Sequence, residues 1–302
     1  MLFRSTSPRF WTEIFQQTTE AGNFLRIDSS VFHLFTAKDR SLPRELVLRE
    51  DGTSRFRHYL PFPSFVNTIE DYPYPYVISQ GCWQFPCSVP SDWEAQHVQS
   101  PNNPETVEDM KRALDATVLK KGVYTLVFHP HNWIRNDQIV SLIEHAVQKH
   151  GKKVKFLNFA ECADRIRDNL LAGETLRTKT GDDNGVRVLD LNDDGFLDVV
   201  IGNDHLQKSR VWEPATNQWV ESGFPAQLVT NAAGMQATEG GQFFITQPSG
   251  NASLLIRNPR LQGVWHFQAA GWTRDDTMLN GLATGGNEVF TATNRSEEHT
   301  SE

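Results

Sequence analysis

The run Asp190-Leu-Asn192-Asp-Asp194-Gly195-Phe196-Leu-Asp198 places oxygen-bearing side chains at positions 1, 3, 5 and 9 of a loop that turns on a glycine. A hard cation such as Ca2+ takes six to eight oxygens at about 2.3–2.6 Å, and alternate residues of a tight loop can aim theirs at one point. Asp190, Asn192, Asp194 and Asp198 are the candidate calcium ligands, with a backbone carbonyl at Phe196 filling in, and Gly195 permits the bend. The plainer alternative is an acidic hairpin turn without metal. A second group able to do chemistry is His129-Pro130-His131-Asn132-Trp133, two imidazoles directly after the apolar run 123–128. Imidazole exchanges a proton near neutral pH, although histidines at a strand end also serve as hydrogen-bonding caps, and such a pair is too little for a metal site. A third is the stretch 83–97, where Asp92, Trp93, Glu94 and His97 stand among prolines and aromatics. Such a loop suits sugar faces and the charges of acyl transfer, or it is a packed turn with solvated acids.

The elements that must position these groups change texture along the chain. Asn103-Pro104 opens a helix with Val107, Met110, Leu114 and Val118 on one side, and Gly122 closes it. The nearly unbroken apolar run 123–128 predicts a strand covered on both faces of a parallel sheet, with His129 at its carboxyl end. Ile139, Leu142, Ile143, Ala146 and Val147 predict a second helix ended by Gly151, residues 154–159 a further strand, and Ala163, Ile166 and Leu170 a last helix before Gly173. This is βα repetition. Residues 174–185 are polar and glycine-bearing and read as a linker. Short strands and turns follow, in which 186–189, 199–203, 209–212 and 218–221 make a four-stranded unit around the candidate calcium loop.

Strand, calcium loop and strand resemble the FG-GAP/VCBS repeat, a blade unit of calcium-binding β-propellers. An EF-hand is excluded, since position 12 is Ile201 rather than Glu and the flanks are β-branched. Trp219 and Trp265 stand 46 residues apart, close to a propeller period. Glu239-Gly-Gly241 occupies the place where a second aspartate-rich loop might stand, so no second calcium site is expected there. Residues 186–294 are expected to supply two blades and a remnant.

The order Pro90-Ser-Asp92-Trp93, helix, Leu126-Val-Phe-His129-Pro130, helix, Lys155-Phe-Leu-Asn-Phe159 resembles the later half of a NodB-type polysaccharide deacetylase, over roughly residues 1–171. The resemblance implies a fold class of α/β, a partial NodB-like (β/α) barrel, followed by an all-β partial β-propeller. It implies deacetylation of a polysaccharide substrate, with His129 protonating the leaving group, Asp92 orienting it, and Trp93 lining the pocket; His131 and Trp133 are the further candidate substrate contacts. It also implies a divalent metal such as Zn2+ to activate water. The ligands for that metal are missing, because the Thr-Phe-Asp-Asp and His-x-x-x-His motifs have no counterpart and no two histidines stand four apart. They would precede residue 1. A carbohydrate- or protein-binding assembly on a degenerate barrel, with protein partners meeting the propeller, is the runner-up. A glycoside hydrolase using Glu70-Asp71 or Asp92 with Glu94 ranks last, since adjacent acids rarely face each other across a bond.

With 302 residues, 38% apolar content, eight Trp and 19 Phe, the chain has material for two modest domains. The expected division is 1–173, linker 174–185, 186–294, and 295–302, whose sequence Arg-Ser-Glu-Glu-His-Thr-Ser-Glu resembles a translated sequencing adapter. Those eight residues carry one arginine and three glutamates, so without them the net charge is −6 rather than −8. Neither figure suits a nucleic-acid partner, and the lysines between 149 and 155 read as a solvated connection. No apolar run reaches membrane-span length. Cys82, Cys87 and Cys162 form neither a disulfide framework nor a zinc pattern, though Cys82 and Cys87 are near enough in sequence to pair. The amino terminus runs into a helix pattern with Ser7 as cap and Pro8 in the first turn, without the charged and apolar regions of a signal peptide. The calcium loop points to an extracytoplasmic location.

Overall fold

The computed structural model describes residues 25–60, 67–78, 81–232, 235–258, 260–269 and 271–279. The helix start at Ser7 and Pro8 and the segment 295–302 lie outside them. The described chain divides into two compact units, 25–157 and 158–279. The helix expected to close the first domain therefore counts with the second unit.

In the first unit the strands are β1 (Ile27–Asp28), β2 (Phe32–Leu34), β3 (Thr68–Glu70), β4 (Tyr76–Ile78), β5 (Cys82–Gln84) and β6 (Cys87–Ser88), and the helices are α1 (Arg44–Val47), α2 (Asp92–His97), α3 (Pro104–Leu119) and α4 (Asn136–His150). β3, β2 and β6 pair in parallel in that order. A second sheet pairs β1 in parallel and β4 antiparallel with the central β5. These parallel pairs lie within residues 27–88, ahead of the stretch 104–171 in which the βα repetition is read, and no barrel closes among the described residues.

Two expected strands are not regular strands. Residues 123–128 form no regular strand and carry a single parallel bridge from Thr125 to Cys87, and Phe128 is 55% exposed rather than covered on both faces. Residues 154–158 are irregular and Phe156 and Leu157 lie exposed. A capping box ends any strand there. The Asn158 side chain accepts from the Glu161 N–H at 3.0 Å and the Asn158 N–H donates to Glu161 Oε2 at 2.8 Å, which starts a helix at Phe159.

α3 is built as its sequence demands, with Pro104 in the first turn and Asn103 accepting from the Glu105 N–H at 2.9 Å. Val107, Met110 and Leu114 are buried against Ala95, Ile134, Leu142 and Ala146, so α2, α3 and α4 share one core. Only part of the expected α4 stripe is inside, because Ile143 and Val147 are exposed. A second cluster of Leu34, Phe35, Val47, Phe56, Tyr59 and Ala113 packs α3 onto the β2 strand. Cys82 and Cys87 are both buried and form no disulfide, and the Cys87 thiol donates to the Ser29 carbonyl at 2.7 Å.

The second unit opens with α5 (Phe159–Arg165), continued by a π-helical turn at Ile166–Leu170. Its strands are β7 (Val186–Leu189), β8 (Asp198–Gly202), β9 (Gln207–Glu213), β10 (Gln218–Gly223), β11 (Val229–Ala232), β12 (Met235–Thr238), β13 (Gly241–Ile245), β14 (Ala252–Arg257), β15 (Gln262–Gln268) and β16 (Gly271–Arg274). β7 to β10 and β13 to β16 are two successive four-stranded antiparallel meanders, with the β11–β12 hairpin between them. Their inner faces share one core that includes Leu191, Val200, Val211, Leu254, Trp265 and Phe267. The tryptophan period needs correction, because Trp219 lies on the fourth strand of its sheet and Trp265 on the third. Trp212 is the third-strand counterpart, and the first strands of the two sheets begin 55 residues apart, at Val186 and Gly241. Glu239 precedes β13, so the loop equivalent to 190–197 is 246–251, which carries no carboxylate.

Candidate functional site

Residues 83–97 are not the open loop their prolines and aromatics suggest. Ser91 caps α2, accepting from the Trp93 N–H at 3.2 Å, while the Ser91 N–H and hydroxyl donate to Glu94 Oε2 at 2.6 and 2.5 Å. Glu94 is thereby spent on the cap, and its burial pushes the carboxyl pKa up despite those bonds. Glu70 is engaged by Lys38 and Arg57, and Asp71 accepts from the Thr36 N–H and hydroxyl. None of the acids considered for a hydrolase pair is left to face a glycosidic bond.

Asp92, the first residue of α2, is fully buried and meets the segment that carries His129. His129 Nδ1 lies 3.0 Å from Asp92 Oδ1, and the His129 backbone N–H donates to Asp92 Oδ2. One carboxylate thus fixes both the main chain and the imidazole of the same residue, while the His129 side chain stays 42% exposed. His131 stacks on His129 with ring centroids 5.9 Å apart and planes 8° from parallel. Trp133 stands 5.1 Å from each of these rings. Asn132, at φ +60°, turns the chain between them, so His131 shares the side of His129 across Pro130 through a turn rather than an extended strand. Trp93 packs on His97 at 4.7 Å, and His97 on Trp133 at 5.5 Å. His97, at the end of α2, joins the cluster, although the sequence marked it only as a member of the stretch 83–97 and gave it no role. Its signal was the i, i+4 spacing from Trp93.

The second candidate site is the loop between β7 and β8. Asp190 accepts from the N–H groups of Asp194 at 3.2 Å and Gly195 at 2.8 Å, and Asp194 accepts from the Phe196 N–H at 2.8 Å. Asp198 is fully buried and accepts from the Leu191 and Trp212 N–H groups at 2.9 and 2.8 Å, which ties the loop to β9. Burial pushes Asp198 up to about 7, the neighbouring Asp194 and Asp190 charges adding to it, and burial likewise raises Asp190. The buried Asn192 Oδ1 has no hydrogen-bond partner. Gly195 takes φ +84° at the bend. Gly250, at φ +82° on the neighbouring loop, lets Asp193 approach so closely that a Cβ there would sit 2.2 Å from its carboxylate.

Two three-ligand groups of His, Asp and Glu occur among the described residues, Asp115 with His145 and His150, and His58 with Glu105 and Asp109. Neither contains His129 or Asp92, and neither was singled out from the sequence. Among the described residues, the divalent metal implied by the deacetylase resemblance finds no such ligand set beside His129. No described helix is long and apolar enough to cross a membrane. No protein-family model, curated protein or solved structure matches the chain.

Proposed function

We propose that the first unit acts on acetylated carbohydrate, with His129 as the proton donor to the leaving group and Asp92 as its orienting base, and that the second unit binds calcium through the loop 190–198. The observation that carries the first part is the 3.0 Å contact of His129 Nδ1 with a fully buried Asp92, beside the half-buried ring of Trp133. With Nδ1 held by the carboxylate, proton exchange with substrate falls to Nε2. Once water has added to an acetyl carbon, the bond from that carbon to the sugar nitrogen or oxygen breaks as His129 delivers its proton to the departing atom, and acetate leaves. Trp133 and Trp93 offer the flat apolar faces on which a sugar ring stacks. The runner-up, a binding platform without turnover, is favoured by the absence of a third ligand group beside His129 among the described residues.

Binding separates these readings from an unrelated role. Titration of the chain with an N-acetylated chito-oligosaccharide is expected to quench tryptophan fluorescence, and Trp133→Ala is expected to weaken that binding by about 2- to 10-fold, the scale of losing one aromatic contact. No saturable response to either N- or O-acetylated oligomers would remove the carbohydrate reading.

For the second unit, the aspartate and asparagine oxygens around Gly195 support calcium, and the orphaned Asn192 Oδ1 is an acceptor that a cation would satisfy. The two meanders support reading this unit as successive propeller blades, and the candidate calcium loop supports an extracytoplasmic location. Calcium at about 100 times its dissociation constant is expected to add about 2.7 kcal/mol to the stability of this unit. At the affinity of extracellular modules, about 10⁻⁴ to 10⁻³ M, that calls for tens of millimolar ion. Chelation should lower the melting temperature accordingly, and Asp194→Ala, at an exposed position, should abolish the response. Superimposable melting curves with and without calcium would count against the site.

A further inference from the structure

The last turn of α4 brings two imidazoles onto one carboxylate of α3. His145 Nε2 lies 2.8 Å and His150 Nε2 2.6 Å from Asp115 Oδ1, while Lys149 Nζ lies 2.8 Å from Oδ2. The three candidate ligand atoms all lie within 4.8 Å of one another. Residues five apart on a regular helix diverge by about 140° around its axis, so this convergence needs an irregular ending. It has one. His150 closes α4 at φ −113°, well away from helical values, and Gly151 follows at φ +53°.

We propose that Asp115, His145 and His150 bind one Zn2+ ion that joins α3 to α4. Two imidazoles and a carboxylate are a donor set that suits zinc rather than calcium or magnesium, which prefer all-oxygen cages. Bonds of about 2.0–2.2 Å at tetrahedral angles place ligand atoms about 3.3 Å apart. The N···O contacts present, 2.8 and 2.6 Å, are shorter than this by about 0.5 and 0.7 Å, a gap that side-chain rotation opens. Lys149 occupies the other carboxylate oxygen and its side chain is 54% exposed, so it orients Asp115 from outside without filling the ion's place. Asp115 and His145 line a cleft with Arg49, Lys111 and Arg112, which leaves the fourth coordination position open to water or a small anion.

The other three-ligand group lacks this property. Arg49 Nη2 lies 2.7 Å from His58 Nε2 and 2.8 Å from Glu105, and Arg55 is 3.0 Å from Asp109, so guanidinium charge already stands where a cation would sit.

The test is Zn2+ binding to the full chain after removal of metal by chelator, read by calorimetry and by metal analysis after gel filtration, with Co2+ absorption reporting coordination. One zinc per chain is expected, with a melting temperature raised by the ion. The double variant His145→Ala/His150→Ala should lose that zinc, with affinity down by at least about 10²-fold. His129→Ala/His131→Ala and Asp190→Ala should keep it. Should the double variant fail to fold, His150→Gln answers the question, because glutamine keeps a hydrogen bond to Asp115 but is a poor zinc ligand. Absence of zinc at micromolar concentration in the native chain overturns the proposal, as does zinc that survives in His150→Gln with unchanged affinity and Co2+ spectrum.

Discussion

In an enzyme that supplies the metal ligands implied by the deacetylase resemblance, His129→Ala is expected to lower acetate release from an acetylated oligosaccharide by about 10²- to 10⁴-fold, the usual scale for losing a positioned general acid, and to shift the melting temperature by only about 2 °C. The split follows from which atoms the imidazole serves. Its side chain is 42% exposed, so its removal opens no cavity, and the buried Asp92 keeps the backbone N–H of residue 129 as a partner. Asp92→Asn should behave differently. An amide in place of the carboxylate sets a donor against either the ring nitrogen or the backbone N–H, so turnover and stability should fall together. KM should hardly change in His129→Ala, because the proton is delivered only as the bond breaks, whereas Trp133→Ala should act mainly on binding. Acetate release by His129→Ala at the native rate would sink the assigned role. A native chain that binds the sugar and releases no acetate would leave the site a binding platform.

The meeting of His129 with Asp92 was expected only from the deacetylase resemblance, because a contact across 37 residues has no local signal and the stretch 83–97 reads as a loop until the Ser91–Glu94 capping box is seen to start a helix at Asp92. The antiparallel unit around the candidate calcium loop was legible locally, since β-branched runs alternate with turn residues at short range. What failed was inference from apolar content without partners. Residues 154–159 are as apolar as a strand, yet pairing is a long-range property, and the local Asn158–Glu161 capping box prevails where no described strand pairs with them. The propeller period was misjudged because it was counted between two tryptophans rather than between equivalent strands. The Asp115, His145 and His150 cluster gave no signal at all. Five-residue spacing matches no helical ligand pattern, Asp115 lies 30 residues before His145, and only the broken end of α4 brings them together.

Lowering the pH is expected to favour His33→Leu over the native chain. His33 sits in the central strand of the β3-β2-β6 sheet, 2% exposed, edge-on to Phe35 at 4.5 Å, with no hydrogen-bond partner for Nε2. Burial holds its pKa down at about 3, against an ordinary value of 6.5. The unfolded chain therefore binds this proton more readily than the folded one. Stability from the neutral ring is complete above pH 6.5 and drains away as pH falls from there toward 3. Other groups act in the same unit, which makes the raw acid profile a sum. Burial and the nearby Arg49 lower His58, adding to the effect, while burial raises Glu94 and Asp71, which opposes it. The difference between His33→Leu and the native chain isolates the one ring. That difference should be level above about pH 7 and then move in favour of leucine by about 1.4 kcal/mol per pH unit, reaching about 3 kcal/mol at pH 4.5. Denaturant titrations of both proteins between pH 4.5 and 8 measure it. A difference that stays constant across that range would mean that His33 takes its proton in the folded state as easily as in the unfolded one, and is not sealed in the sheet.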